Sequence, residues 1–132
     1  DDTIRFLTMP AVIWMHDYLI RLYGGKPGLR DASLLDSALN QPKMQWHFLR
    51  SSICELAAIY GYHKSENQPF VEGNKRTARM AMFVFLEYNG LRLTVTEDVT
   101  LNMILDVASH RMNKEQLASW LQAVTKPKLG NG

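Results

Sequence analysis

The amino-acid sequence predicts an all-α protein, a compact bundle of about six helices around one buried central helix. Apolar residues recur at helical spacing along most of the chain, strand-like alternation is nearly absent, and residues 78–86 are apolar almost throughout. A helix that is apolar all round belongs in the middle of a fold. The chain has 132 residues, 46% of them apolar, so we expect one domain over residues 1–132, with an ordered core at about 8–124 and a flexible tail at 126–132.

Capping residues and apolar stripes predict the first two helices. Thr8 can cap a helix over about residues 9–23, with proline in its first turn. Asp31 can cap a short second helix, which is expected to close before Pro42 because proline disrupts a helix interior. The following stretch, Gln41–Arg50, is predicted to be a loop on the substrate side of the fold.

The same signals define the second half of the chain. Ser51 or Ser52 is expected to open a third helix that reaches to about Glu66. The central helix is predicted over residues 74–89 and ends at an Asn-Gly pair. The remaining predicted elements are an extended piece at 91–95, a helix from Thr96 to about Ser109, and a last helix at 114–124 capped by Asn113.

Composition excludes several classes of function. The 15 basic and 13 acidic side chains give a net charge of only +2, and no block of like charges resembles a nucleic-acid arm. The single cysteine, Cys54, excludes a disulfide framework or a cysteine metal site within one chain. No stretch has the length and apolarity of a membrane span or a signal peptide, so the cytoplasm is the expected location.

Histidine and tryptophan residues are also candidates for function. His16, His47 and His110 stand singly, without the paired spacing of metal ligands, and are expected to be surface or capping residues. The tryptophans could form an apolar surface for a partner helix, although core positions are the more common place for such residues. They are Trp14, Trp46 and Trp120, with Phe48 and Met44 nearby in the sequence.

The residues before the central helix predict an anion-binding loop. Gly73 permits a tight approach to the helix that Asn74 begins. Unpaired backbone N–H groups and the helix dipole favour a phosphate at such an end. Lys75 and Arg76 add two cations beside it.

Neighbouring residues complete this loop. Glu72 could hold a Mg²⁺ ion that bridges phosphate oxygens, because Mg²⁺ prefers a few carboxylate oxygens plus those of the nucleotide. Pro69 and Phe70 are expected to anchor the loop by burying against the bundle. The alternative is that the loop is only a capped, solvated start of a helix.

Two motifs resemble the Fic/Doc superfamily. Residues 68–78 read Gln-Pro-Phe-Val-Glu-Gly-Asn-Lys-Arg-Thr-Ala. They are similar to the family signature His-x-Phe-x-[Asp/Glu/Asn]-[Gly/Ala]-Asn-[Gly/Lys]-Arg, with Lys75 at the position that marks the Doc (death-on-curing) branch. Residues 23–39 resemble the segment that follows the first helix in Doc-like proteins. The resemblance spans about residues 8–124.

This resemblance implies the Fic/Doc fold and a bacterial toxin of a type II toxin-antitoxin pair. Doc-like toxins transfer the terminal phosphate of ATP to a threonine of elongation factor Tu and so inhibit translation. Relatives with glycine in place of Lys75 transfer AMP instead, so AMP transfer to a protein hydroxyl is an alternative. The family implies ATP and Mg²⁺ as cofactors. The implied partner is an antitoxin protein, a segment of which folds into an apolar groove.

Position by position, the resemblance assigns a role to each residue of the loop. Glu72 would be the metal-associated acid, Asn74 would contact a phosphate, and Lys75 with Arg76 would bind and neutralise the triphosphate during catalysis. The implied nucleotide-binding residues are Phe70, Glu72, Gly73, Asn74, Lys75 and Arg76.

Gln68 stands where the family has its catalytic histidine. Histidine is suited to take the proton from the target hydroxyl, because its pKa lies near neutrality. A glutamine amide is not basic and can only orient the hydroxyl by a hydrogen bond. Loss of a general base typically lowers the rate by about 10²- to 10⁴-fold, so a slow or inactive enzyme is expected. His63, five residues earlier, is expected to be structural or exposed rather than a substitute base.

Three functions remain open at this point. The chain could be a Doc-like toxin whose activity Gln68 limits, or a catalytically silent binding protein with the same fold. It could also be a helical scaffold whose basic loop is an ordinary helix cap.

Overall fold

The computed structural model describes residues 3–62 and 68–128, which form six helices and two short strands. The all-α class predicted from the sequence is confirmed, with one small sheet added. The elements are α1 (Met9–Tyr23), α2 (Ala32–Leu49), α3 (Ile53–Gly61), α4 (Asn74–Tyr88), β1 (Leu91–Leu93), α5 (Glu97–Ala108), α6 (Lys114–Val124) and β2 (Thr125–Pro127).

Helix α4 is the centre of the bundle, as its apolar sequence predicted. It packs against α3, α1 and α5, and α6 packs against α3. Met82, Phe85 and Leu86 on α4 are fully buried, with Leu56 of α3 and Leu117 of α6 beside them in the same core. Because α4 is held on three sides, its first turn has a fixed position, and this turn belongs to the candidate site.

The end of α2 differs from the prediction. The helix continues through Pro42 to Leu49, so the predicted loop at Gln41–Arg50 is helical nearly to its end. Proline removes one hydrogen bond from the helix interior. Packing offsets this loss, because Pro42 is fully buried and Trp46, one turn later, packs against the core. The helix ends at Arg50, which adopts a left-handed conformation and donates its backbone N–H to the Trp46 carbonyl at 3.0 Å.

Most helix starts agree with the predicted caps. The side chains of Thr8, Asp31, Ser52, Thr96 and Asn113 each accept a hydrogen bond from the first turn of the helix that follows. The third helix was predicted to reach Glu66 but ends at Gly61. Glu66 and His63 themselves lie outside the described residues.

The end of the chain is more ordered than predicted. Residues 126–128 were expected to belong to a flexible tail, yet Thr125–Pro127 forms β2 and pairs antiparallel with β1. The Lys128 N–H continues this pairing with a hydrogen bond of 2.7 Å to the Gly90 carbonyl, and its ammonium lies 3.2 Å from Glu87. Residues 129–132 lie outside the described part of the chain. No helix within the described ranges is long and apolar enough to cross a membrane.

Gly61 provides a test of the packing of α3. A Cβ atom added there would lie 2.8 Å from Met82 Sδ, 3.0 Å from Ile104 Cδ1 and 3.2 Å from Leu117 Cδ2, and all three side chains are buried. We expect Gly61→Ala to lower the free energy of unfolding by about 1–3 kcal/mol, because crowding in a full core outweighs the better helix propensity of alanine. Urea unfolding followed by circular dichroism measures this change. Ser119→Ala on the exposed face of α6 is the control, and a Gly61→Ala protein as stable as its parent would contradict the packing.

Candidate active site at the start of helix α4

The first turn of α4 presents backbone N–H groups without a side-chain cap. Gly73 is the capping residue, and its left-handed backbone, with φ of 81° and ψ of 16°, favours glycine. It has no side chain that could accept a hydrogen bond from the first turn. Four N–H groups at the start of any helix lack partners within that helix. This end of α4 can therefore receive an anionic ligand.

The loop before α4 is held by the segment after α1. The N–H groups of Arg30 and Asp31 donate to the Pro69 carbonyl at 2.7 and 3.0 Å, and the Val71 N–H donates to the Gly28 carbonyl at 3.1 Å. The Arg30 guanidinium also donates to the Gln68 carbonyl through Nε, at 2.9 Å, and through Nη2. The two sequence motifs, at 23–39 and 68–78, thus meet in space. Their pairing fixes the backbone of Gln68.

Asn74 closes the loop from inside. Its Oδ1 atom accepts the Phe70 N–H at 3.0 Å, and its Nδ2 atom donates to the Phe70 carbonyl at 2.9 Å. The side chain is buried. The structure thus shows Asn74 as the residue that fixes the turn of the loop, and the phosphate contact implied by the resemblance stays a prediction.

Phe70 anchors the loop as predicted, but its ring does not face the cleft. The side chain is 3% exposed and lies in the core. Its ring stacks on His16 with 3.9 Å between centroids and 7° between planes. The ring is therefore on the inner side of the loop. The nucleotide contact that the resemblance implies for Phe70 stays a prediction.

His16 was expected to be a surface or capping residue, but it is buried and holds the loop. It is 1% exposed, and its Nε2 lies 2.7 Å from the Glu72 carbonyl. Since a carbonyl oxygen only accepts, Nε2 carries the proton and donates it. The sequence did contain a signal for burial, because His16 falls in the stripe of α1 formed by Val12, Met15 and Leu19. The expectation holds for His47 and His110, which are exposed.

Three cations lie on the first two turns of α4. Lys75 is exposed, and Arg76 lies over the Tyr23 ring with 3.9 Å from Cζ to the centroid. Arg79, which the sequence analysis did not single out, has a side chain only 12% exposed and lies 3.4 Å from Glu97. Burial lowers the pKa of the Arg79 guanidinium, and the Glu97 charge acts in the opposite direction. A charged residue within an apolar helix was the signal for Arg79.

Glu72 is the only residue of the loop that could bind a metal through a carboxylate. Its side chain is exposed, and Oε1 accepts the Lys26 N–H at 3.1 Å. Across residues 3–62 and 68–128, no cluster of three or more His, Cys, Asp or Glu side chains could form a metal site. One carboxylate is still compatible with Mg²⁺, which commonly takes one or two carboxylates and completes its coordination with substrate phosphates and water.

An open cleft of about 610 Å³ lies over this end of α4. Six of the predicted site residues line it, together with an apolar wall from α1 and α5. The predicted residues are Gln68, Glu72, Gly73, Asn74, Lys75 and Arg76, and the wall is formed by Leu19, Ile20, Leu101 and Leu105. The cleft therefore combines the cations Lys75 and Arg76, a helix end without a side-chain cap and a set of apolar side chains. These are the features expected of a nucleotide site.

Comparisons with known proteins show the family of this chain. The model of the Fic/DOC family matches residues 6–86, which is more than half of the chain. The chain is 30% identical over 103 residues to Toxin Doc of Mycolicibacterium smegmatis, covering 75% of this chain and 79% of that protein. It is 26% identical over 91 residues to Protein kinase doc of Escherichia phage P1, covering 68% of this chain and 72% of that protein.

His16 offers a test of how the loop is held. In His16→Leu the Glu72 carbonyl loses its donor and the Phe70 ring loses its stacking partner, so we expect the free energy of unfolding to fall by about 1–3 kcal/mol. Chemical unfolding measures the change. His47→Leu on the exposed side of α2 is the control and should change stability by less than about 0.5 kcal/mol. Equal effects at the two positions would show that the His16 contacts do not stabilise the loop.

Proposed function

Because the chain belongs to the Fic/DOC family, we propose that it is a Doc-like toxin that transfers phosphate from ATP to a hydroxyl group of a protein. The observation that carries the proposal is the pair Lys75 and Arg76 in the first turn of α4. They directly follow Gly73, whose position at the N-cap leaves the helix end without a side-chain cap. The names of both relatives support it, one being called a toxin and the other a protein kinase. A threonine of elongation factor Tu is the proposed acceptor, and blocked translation in the cytoplasm is the proposed consequence.

The charges of the cleft suit a triphosphate. Two cations and the N–H groups of α4 would neutralise its oxygens, which is the main requirement of phosphoryl transfer. Glu72, with one oxygen held by Lys26, would present its other oxygen to Mg²⁺. When bound, the ion would supply charge neutralisation between phosphate oxygens. Lysine at position 75 favours phosphate transfer over AMP transfer, by the family pattern.

The proposed reaction is an in-line displacement. The acceptor oxygen forms a bond to the γ-phosphorus of ATP, the bond from that phosphorus to the bridging oxygen breaks, and ADP leaves. The hydroxyl proton must go to a base. Gln68 can accept a hydrogen bond from the hydroxyl but cannot take its proton, so the proton goes to solvent and the reaction is slow. Arg30 supports the proposed orienting role, because it fixes the Gln68 backbone.

A second candidate function follows from the same residue. With glutamine at position 68, the cleft could bind ATP without turnover, and the chain would be a catalytically silent binding protein. In both cases the proposed partner is an antitoxin, a segment of which covers exposed apolar side chains on folding. Candidate side chains for that contact are Trp14 and Leu22 on α1 and Met44 and Phe48 on α2.

Replacing Gln68 with histidine tests the catalytic proposal. We expect Gln68→His to raise the rate of phosphate transfer by about 10²- to 10⁴-fold, because the cleft then contains a general base. Purified elongation factor Tu is incubated with the protein and ATP labelled at the γ-phosphate, and incorporated label is counted. Gln68→Ala is the matched control, and ATP labelled at the α-phosphate detects AMP transfer. A Gln68→His protein that binds ATP but transfers no label would favour the silent binding protein.

Nucleotide binding is tested separately from catalysis. We expect Lys75→Ala and Arg76→Ala each to weaken ATP binding by about 10- to 100-fold, the typical effect of losing a charged hydrogen bond. Calorimetry with ATP and Mg²⁺ measures the affinity. Lys126→Ala on β2, at the opposite end of α4, is the control for net charge. If all three variants bind ATP as the parent does, the loop is an ordinary helix cap and the nucleotide proposal is wrong.

A further inference from the structure

We infer that Tyr23 and Glu97 are positioning residues for the nucleotide site, because Tyr23 holds the guanidinium group of Arg76 in the cleft and Glu97 holds Tyr23 together with Arg79, one turn further along α4. The inference rests on the proposed function, since the ligand that Arg76 would meet is the phosphate chain of ATP. Neither residue belongs to the motif at 68–78, and they come from two different helices, α1 and α5.

Tyr23 acts on Arg76 through its ring. It is the last residue of α1, and its ring centroid lies 3.9 Å from Arg76 Cζ. A guanidinium over an aromatic face is held by cation–π attraction. The stacking also restricts the rotamers of a long side chain that would otherwise be mobile. The Arg76 guanidinium is therefore already confined to one wall of the cleft before a ligand arrives.

Glu97 contacts Arg79 directly and is linked to Arg76 through Tyr23. It lies in the first turn of α5, where Oε2 accepts the Tyr23 hydroxyl at 3.1 Å and Oε1 lies 3.4 Å from Arg79 Nη2. The carboxylate thus fixes the Tyr23 ring from one side and the Arg79 side chain from the other. This gives a continuous chain of contacts from Arg79 through Glu97 and Tyr23 to Arg76.

The contacts of Glu97 reduce two unfavourable electrostatic effects at the arginines. Arg76 and Arg79 are one turn apart on α4, and like charges at that spacing repel. Arg79 is also largely removed from water, with a side chain 12% exposed. The Glu97 charge offsets both effects. Arg76, already ordered by Tyr23 and next to an Arg79 whose charge is paired, can bind a phosphate with a smaller loss of side-chain entropy.

A purely structural role does not account for these contacts. Tyr23 is 48% exposed, and the side chain of Glu97 is 50% exposed, so neither contributes a buried group to the core. The effect of Tyr23 should therefore appear in nucleotide affinity rather than in stability, whereas Glu97 also pairs with the largely buried Arg79.

The first experiment changes the ring under Arg76. We expect Tyr23→Leu to raise the Kd for ATP with Mg²⁺ by about 3- to 10-fold, and Tyr23→Phe, which keeps the aromatic face, by about 2-fold or less. Tyr88→Leu is the matched control, because Tyr88 is 49% exposed and ends α4 as Tyr23 ends α1. Melting temperatures of all variants should agree with that of the parent.

The second experiment withdraws the carboxylate without removing its charge. Glu97→Asp shortens the side chain by one methylene, so it cannot reach Tyr23 and Arg79 together, and we expect the Kd for ATP to rise by about 3- to 10-fold. Glu115→Asp makes the same change in the first turn of α6 and should leave the Kd unchanged. Equal Kd values for the two variants would overturn the role of Glu97.

A double substitution shows whether Tyr23 acts through Arg76. In the Arg76→Ala background, Tyr23→Leu should cause no further loss of affinity. The same loss in both backgrounds would overturn the inference, as would an unchanged Kd for Tyr23→Leu in the parent. The proposed function fails in a different way, because the unmodified protein would then bind no ATP in the same calorimetric titration.

Discussion

The candidate site depends on hydrogen bonds that tie an irregular loop to the rest of the bundle. Residues 68–73 precede α4 without helical bonds of their own and are held from three directions. The Gly28–Asp31 segment pairs with their backbone, Asn74 bonds to Phe70 from inside, and His16 binds the Glu72 carbonyl. An irregular backbone keeps one conformation only when its polar groups are satisfied in this way. The geometry of the cleft therefore depends on residues outside the loop.

Charge is distributed unevenly around this loop. Lys75, Arg76 and Arg79 lie within two turns of α4, and Glu97 is the carboxylate that contacts this group within the described residues. The excess positive charge stands at a helix end whose dipole has the same sign. Such an arrangement is unfavourable without a ligand and favourable with an anion, which is a reason to associate it with binding rather than with stability.

Features that depend on a few adjacent residues could be predicted from the sequence. Helix caps, the central position of α4 and the basic first turn each follow from a few adjacent residues, and the structure contains them. Features that depend on tertiary contacts could not be predicted in this way. Pro42 remains within α2 because burial offsets a lost hydrogen bond, and β2 exists because β1 is available as a partner. Pairing between Gly28–Asp31 and the loop could not be read from one sequence, since residues far apart carry no local signal of their contact.

The pairing of β1 with β2 has a practical consequence for labelling. It brings Lys128 next to Gly90, at the opposite end of α4 from Gly73. A helix of 15 residues is about 22 Å long, so the two ends of α4 are well separated. A dye or an immobilisation tag attached near Lys128 would stand clear of the cleft, whereas one on α1 near Tyr23 would obstruct its entrance.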